Sequence, residues 1–142
     1  TIWQVANRLG TEIPHLCYTD KPGYRADGNC RACMVEIEGE RVLAASCVRK
    51  PSFDMKVQTT SDKAKKSREL VFELLLADQP ERDVAHDNNS HFWNWIDKVD
   101  LKENRFPKKT PCQPDTSHPS MAVNLDACIQ CNLCVRVVEK FK

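Results

Sequence analysis

Cysteines are the residues of this chain best suited to chemistry, and they fall into two groups. The chain has 142 residues and 8 cysteines, with none between positions 47 and 112. Because the opening residues do not read as a secretory signal, the clustering favours two separate inorganic sites over disulfides. The cysteines are Cys17, Cys30, Cys33, Cys47, Cys112, Cys128, Cys131 and Cys134.

The first group combines one Cys-x-x-Cys pair, Cys30 and Cys33, with single cysteines far away on either side, Cys17 and Cys47. Structural zinc usually takes two such pairs around one tetrahedral ion. A [2Fe-2S] cluster has two irons that each need two thiolates, and a wrapping loop supplies both ends. We therefore predict that these four cysteines bind a [2Fe-2S] cluster, with zinc or disulfides as the alternatives.

Glycines and arginines in the same loop fit an anionic cluster. A loop that turns its backbone N–H groups inward often needs positive φ angles, which Gly23 and Gly28 tolerate. Arg25 and Arg31 are candidates for offsetting the charge of a reduced cluster, or they are ordinary surface residues.

The second group contains the run "CIQCNLC", in which Cys128, Cys131 and Cys134 have the spacing of a bacterial [4Fe-4S] ferredoxin. The fourth cysteine of that pattern serves the neighbouring cluster of a pair, and Val138 stands in its place. We expect three ligands of an incomplete [4Fe-4S] site whose fourth ligand lies outside the chain. A [3Fe-4S] form, zinc or an empty loop are the alternatives.

The sequence patterns around the first cysteine group predict a small half-buried sheet with one helix. "TIWQVANRLG" predicts a short helix with a capping box formed by Thr1 and Gln4, ending near Gly10. Two strand-like runs, "CMVEIEG" and "RVLAAS", are joined by a predicted hairpin at 38–40, and "MKVQTT" is a third run.

The middle of the chain is predicted to be helical. Ser61 is the expected N-cap of a helix reaching Asp78, and the positions expected on its apolar face are Ala64, Val71, Leu74 and Leu75. "NNSHFWNWIDKVD" predicts a second helix in which Trp93 and Trp95 pack against a core. We expect an irregular stretch over 101–118 and a brief strand in "MAVNLDAC". His86 and His91 are expected at the surface or at a helix end, and Cys112 as a free thiol.

Charge and hydropathy exclude some partners. Lys+Arg total 21 and Asp+Glu total 20, so no large field of one sign attracts nucleic acid. The apolar run "LVFELLLA" is too short to cross a bilayer. We therefore expect a cytoplasmic protein without a membrane span.

The stretches "IPHLCY", "GNCRACMVEIEG" and "VLAASC" resemble the N-terminal [2Fe-2S] ferredoxin domain of large NAD-linked redox subunits. These include the iron–sulfur subunit of respiratory complex I, [FeFe]-hydrogenases and the α subunit of NAD-dependent formate dehydrogenase. The resemblance implies a β-grasp fold. In that family a β-hairpin precedes the first helix, so this chain is expected to be truncated and to lack part of the sheet.

Within this family, the chain most resembles the formate dehydrogenase α subunit. Complex I and many hydrogenases carry His-x-x-x-Cys-x-x-Cys-x-x-x-x-x-Cys in the middle segment, and this chain has no such motif. "LLLADQPER", "HFW", "RFP" and "SHPSMAVNLDACIQCNLCVR" carry the likeness. It implies an electron relay from a molybdenum- or tungsten-pterin site, in the remaining domains of the parent subunit, toward flavin and NAD on diaphorase partner subunits. The alternatives are a hydrogenase diaphorase or complex I-type module and a non-redox zinc-binding interaction module.

The sequence therefore predicts an α+β fold in three parts. Residues 1–60 form a truncated β-grasp [2Fe-2S] domain, 61–110 a helical connection without the motif of one histidine and three cysteines, and 111–142 an incomplete 2[4Fe-4S] domain. We assign no catalytic residue, because no nucleophile–base pair is recognisable. The final "VVEKFK" departs from the family, where Ala-Cys-Arg is expected after "CVR", and we attribute this to truncation.

Overall fold

The computed structural model describes residues 1–101 and 104–140. It divides into two compact units, Thr1–Val71 with Gln130–Lys142 and Phe72–Ile129. In this described part, no helix is both long and apolar enough to cross a membrane. The elements, in chain order, are α1 (Ile2–Arg8), β1 (Met34–Ile37), β2 (Ala44–Ala45), β3 (Val57–Gln58), α2 (Asp62–Ala77), α3 (His91–Val99), β4 (Asp115–His118), β5 (Met121–Val123) and α4 (Leu133–Lys140).

Helix α1 begins with the predicted capping box. The Thr1 hydroxyl accepts a hydrogen bond from the Gln4 backbone N–H at 3.3 Å, and the Gln4 side chain accepts one from the Thr1 amino group at 2.8 Å. Leu9 caps the C-terminus, and Gly10 follows with a φ of 77°, a conformation that glycine adopts at little cost. The reciprocal hydrogen bonds fix where the chain enters the helix.

The first unit is built on an antiparallel sheet in the order β2-β1-β3. The predicted hairpin joins β1 to β2, and the Glu40 N–H donates to the Ile37 carbonyl across its turn. Alternate residues of β1 are buried, as expected for a strand with one face on the core. The core consists of Ile2, Trp3, Ile13, Tyr18, Cys33, Val35, Ile37, Ala45 and Cys47. Two cysteines are therefore core residues.

Helix α2 confirms the predicted helix but corrects its apolar face. Ser61 is the N-cap, and its hydroxyl accepts a hydrogen bond from the Ala64 N–H at 3.3 Å. Phe72 is fully buried, whereas Leu74, which the periodicity places on the buried face, is 47% exposed. The run "LVFELLL" is apolar on several sides, so its periodicity does not fix which side faces the core.

In the second unit, α3 confirms the second predicted helix, and Ser90 is its N-cap. Trp93 and Trp95 are buried, as predicted. The stretch 101–118 is not wholly irregular, because its last four residues form β4, which pairs with β5. The polar, fully exposed sequence "DTSH" has no apolar alternation, so its pattern does not predict a strand. Residues 102–103 of that stretch lie outside the described residues.

Candidate metal centre

The structure brings the four cysteines of the first group together. Cys17, Cys33 and Cys47 are buried, with exposed fractions of 1%, 1% and 0%, and Cys30 is half-buried. The thiols pair as Cys17 with Cys30 and Cys33 with Cys47, and Cys17 also contacts Cys47. All eight cysteines of the chain are free of disulfides. In the described residues, no three His, Cys, Asp or Glu side chains are placed as ligands of a single ion.

The β1–β2 hairpin positions the pair Cys33 and Cys47. Cys33 precedes β1 and Cys47 follows β2, so strand pairing brings both to the same end of the hairpin. Between them, the Ser46 N–H and hydroxyl both donate to the Cys33 carbonyl, at 3.1 and 2.8 Å. The Trp3 N–H at the start of α1 donates to the Ser46 carbonyl at 2.9 Å. The same contacts that stabilise the core therefore hold this pair.

A reciprocal arrangement positions the pair Cys17 and Cys30. The Cys17 N–H donates to the Cys30 sulfur and the Cys30 N–H donates to the Cys17 sulfur, both at 3.4 Å. The segment leading to Cys17 is fixed to α1, since the Trp3 indole N–H donates to the Ile13 carbonyl at 3.1 Å. The Trp3 ring also packs edge-on against Tyr18, with 5.0 Å between centroids. Sulfur atoms that accept backbone N–H groups are suited to carrying negative charge.

The loop between Cys17 and Cys33 turns through left-handed conformations, as predicted. Gly23 has a φ of 86° and Gly28 a φ of 66°. A Cβ atom at Gly28 would lie 2.9 Å from the Val48 side chain, so the position has neither the conformation nor the space for another residue. Arg31, between Cys30 and Ala32, also has a positive φ of 59° and is a strained position.

The close thiols shift one another's pKa values in opposite directions. Hydrogen bonds from the thiols of Cys30 and Cys47 lower the pKa of Cys17, and the Cys47 thiol likewise lowers the pKa of Cys33. The pKa values of Cys30 and Cys47 are raised. The main cause is that these thiols donate hydrogen bonds that they would lose with their protons, and the second cause is burial. The group therefore favours thiolate at two of its sulfurs, and thiolate is the form that binds metal.

The arginines singled out in the sequence are surface residues. Arg25 and Arg31 are exposed, and the Arg25 guanidinium pairs with Asp27 at 2.8 Å. Two other arginines are buried, Arg68 and Arg136. The Arg68 Nε donates to the Met34 carbonyl at 2.8 Å, next to Cys33, and its Nη2 has no hydrogen-bond partner. Neither arginine was singled out from the sequence, although the position of Arg136, two residues after Cys134, was a usable signal.

The second cysteine group is divided between the two units. Cys128 is exposed and belongs to the second unit, whereas Cys131 is half-buried and Cys134, on α4, is exposed, both in the first. Gln130 and Asn132, which flank Cys131, have positive φ angles of 53° and 58°. Binding of one cluster by these three cysteines stays a prediction.

The remaining candidate residues lie at the surface, as predicted. Cys112 is exposed, and its backbone N–H donates to the Asp126 carboxylate at 3.1 Å. His86 and His91 are both exposed. His91 begins α3, and its Nε2 accepts a hydrogen bond from the Trp95 indole at 3.1 Å.

Comparison with known proteins identifies the first part of the chain. Residues 1–62 match the family model described as a 2Fe-2S iron-sulfur cluster binding domain. The G subunit of the NADH-quinone oxidoreductase of Rickettsia prowazekii (strain Madrid E) is 32% identical over 149 residues, covering 98% of this chain and 21% of the relative. The second G subunit of the NADH-quinone oxidoreductase of Rhizobium meliloti (strain 1021) is 32% identical over 145 residues, covering 99% of this chain and 17% of the relative.

Among solved structures, the NAD+-reducing [NiFe]-hydrogenase in its H2-reduced state is similar, with a TM-score of 0.85 and 26% identity. The alignment covers 99% of this chain and 60% of the hydrogenase chain. The chain thus spans about a fifth of the length of the curated relatives it matches. Residues 1–62 are a small α+β ferredoxin-like 2Fe-2S domain related to these proteins, which confirms the predicted α+β class for this part of the chain, while its β-grasp topology stays a prediction.

Proposed function

We propose that Cys17, Cys30, Cys33 and Cys47 bind a [2Fe-2S] cluster and that the chain is a one-electron relay of a cytoplasmic, NAD-linked oxidoreductase. The observation that carries the proposal is the arrangement of the four thiols as two contacting pairs, one of which, Cys33 with Cys47, lies in the hydrophobic core. Each iron of such a cluster needs two thiolates, whereas structural zinc needs its ligands around one point.

When bound, a [2Fe-2S] cluster accepts and releases a single electron. The residues of this chain hold and shield the site. The reciprocal N–H groups of Cys17 and Cys30 stabilise negative charge on the sulfurs. Trp3 and Tyr18 pack beside the loop and limit the access of water, which together with hydrogen bonding sets the reduction potential.

Anaerobic expression followed by visible absorption and electron paramagnetic resonance (EPR) of the reduced protein tests this assignment. We expect a coloured protein that gains an EPR signal on reduction. A colourless, EPR-silent protein that carries stoichiometric zinc would show instead a zinc-binding interaction module.

For the parent protein we propose the α subunit of an NAD-dependent formate dehydrogenase. The likeness of "SHPSMAVNLDACIQCNLCVR" to that family and the lack of the motif of one histidine and three cysteines support this. The parent would then bind molybdenum- or tungsten-pterin in its remaining domains and pass electrons to flavin- and NAD-binding partner subunits. Cys128, Cys131 and Cys134 would supply three ligands of a [4Fe-4S] cluster completed outside this chain.

A second candidate is the corresponding module of a complex I-type or hydrogenase diaphorase subunit. It is favoured by the relatives named as G subunits of NADH-quinone oxidoreductase and by the similarity to the NAD+-reducing hydrogenase. In both candidates the first cysteine group has the same role, and only the source of electrons differs.

The choice between the two candidates can be tested on the native complex, isolated through an affinity tag on this chain. The oxidised complex is given formate, hydrogen or NADH in separate anaerobic samples, and the EPR signal is recorded. Reduction by formate supports formate dehydrogenase. Reduction by NADH or hydrogen, with none by formate, supports the second candidate and contradicts the first.

A further inference from the structure

Arg136 is a charged side chain that no role considered so far uses. It lies on α4, two residues after Cys134, and only 3% of its side chain is exposed. A buried guanidinium is costly unless its N–H groups are hydrogen-bonded and its charge is balanced. Its surroundings therefore indicate what it does.

The guanidinium of Arg136 donates to backbone carbonyls from both cysteine groups. Its Nη2 donates to the Cys17 carbonyl at 2.6 Å and to the Cys131 carbonyl at 2.7 Å. Its Nη1 donates to the Arg25 carbonyl at 2.6 Å, and its Nε to the Asn132 carbonyl at 3.2 Å. A single nitrogen atom thus holds one residue of the first group and one of the second. All of these residues belong to the first unit.

The charge of Arg136 is only partly balanced. Asp27 is the one carboxylate recorded beside it in the described part of the chain, at 3.3 Å, and Asp27 also pairs with the exposed Arg25 at 2.8 Å. The other acceptors are neutral carbonyls. A buried positive charge therefore remains next to the backbone of Cys17, where solvent screens it weakly.

We propose that Arg136 is a positioning residue that fastens the Cys131 segment to the loop bearing Cys17, and that its charge favours the reduced state of the metal site. The second part rests on the proposed [2Fe-2S] cluster, because one-electron reduction adds negative charge there. The first part rests on the hydrogen bonds alone. The positioning role requires an arginine, because a planar guanidinium offers five hydrogen-bond donors in a fixed geometry, whereas a lysine ammonium offers three donors from a single nitrogen.

The test compares Arg136→Met and Arg136→Lys with a matched control, Lys21→Met. The control removes a cation from the same loop, but Lys21 is exposed and its charge is screened. Amide hydrogen exchange is measured by mass spectrometry over residues 17–31 and 130–134. The reduction potential is measured by EPR-monitored redox titration of the full chain.

For Arg136→Met we expect exchange in both segments to accelerate about 10- to 100-fold, because one charge-assisted hydrogen bond alone corresponds to about a tenfold change. The reduction potential should become more negative. Arg136→Lys should also accelerate exchange but keep a potential closer to that of the wild type. Lys21→Met should change neither quantity.

Unchanged exchange in Arg136→Met would overturn the positioning role. A potential in Arg136→Lys as negative as in Arg136→Met would overturn the role of the charge. If Arg136→Met does not fold, Asp27→Asn tests the role of the charge instead. This variant keeps the hydrogen bonds from Arg136 to the backbone carbonyls and removes the carboxylate that balances the Arg136 charge. Its potential should become less negative, and a shift in the other direction would contradict the proposal. If the wild type binds no iron, the proposed function fails, while hydrogen exchange still tests the positioning role.

Discussion

The two cysteine groups differ in what surrounds their thiols. In the first group, Cys33 and Cys47 are part of the hydrophobic core, and Cys17 is equally buried. In the second group, Cys128 and Cys134 are exposed. The first set of thiols is therefore assembled by the same packing that forms the sheet, whereas two of the three thiols of the second set lie at the surface.

This difference shows that, in the first group, the contacts that fold the sheet also position the cysteine thiols. Ser46 joins Cys33 to the start of α1, because its hydroxyl and its N–H donate to the Cys33 carbonyl and its own carbonyl accepts from the Trp3 N–H. Substitutions in the core should therefore weaken metal binding, and loss of the metal should lower the stability of the fold. At the second group, substitutions should leave the fold of the first unit intact.

The largest effect is expected from Cys33→Ser. It removes one of the two thiols of a pair, so the [2Fe-2S] EPR signal should be lost entirely, while the helical signal in far-UV circular dichroism is retained. Cys112→Ser is the matched control, because Cys112 is exposed and should leave the signal unchanged. An unaltered spectrum in Cys33→Ser would refute the ligand assignment.

Gly28→Ala should weaken the fold through the cluster loop. A positive φ and a Cβ placed 2.9 Å from Val48 both oppose it, and together they should lower the free energy of unfolding by about 2 to 5 kcal/mol. Gly10→Ala is the control, with a similar φ but no atom within 4 Å, and it should cost only about 1 to 2 kcal/mol. Equal losses for the two variants in urea denaturation would mean that the contact with Val48 is unimportant.

Ser46→Ala should have a smaller effect. It removes the buried hydroxyl that donates to the Cys33 carbonyl, but the Ser46 N–H still donates to the same oxygen. We expect a loss of about 1 kcal/mol in the free energy of unfolding. Ser52→Ala, at an exposed position, should stay within about 0.5 kcal/mol of the wild type. A Ser46→Ala protein as stable as the control would contradict the structural role of this contact.

The smallest effect concerns the second unit, which contains an ion pair between Glu73 and Arg105. Hydrogen bonds from Arg105 lower the pKa of Glu73, so the pair stabilises the fold above the ordinary pKa of a glutamate and is lost as pH falls through the lowered value. Between about pH 6 and about pH 3, the melting temperature of wild type should therefore fall more than that of Glu73→Gln.

Arg105→Gln provides the companion test of this ion pair. Without the guanidinium, the buried Glu73 carboxylate loses its partner, so the fall in melting temperature with pH should shrink or reverse. Parallel pH profiles for wild type and both variants would show that the pair contributes nothing to the pH dependence.

The sequence predicted those features that local patterns determine. The capping box of α1 and the β1–β2 hairpin follow from residues close together in the chain. The four cysteines that the fold brings together were grouped from their spacing, which reflects how a loop wraps a site. These predictions needed no knowledge of long-range contacts.

The features that the sequence did not predict depend on contacts between residues far apart in the chain. Glu73 is buried because it pairs with Arg105, which the helical pattern of α2 does not reveal. Arg136 escapes sequence reasoning because a charged residue is normally assigned to the surface, and its acceptors, such as the Cys17 carbonyl, come together only in the folded chain.

The binding of a [2Fe-2S] cluster by the first cysteine group is tested most directly on the variant in which Cys128, Cys131 and Cys134 are all replaced by serine. Iron, acid-labile sulfide and zinc are measured on the anaerobically purified protein, and its spin is quantified after reduction. We predict about two irons and about two sulfides per chain, with about one unpaired spin. A protein with one zinc per chain and no iron would contradict this assignment.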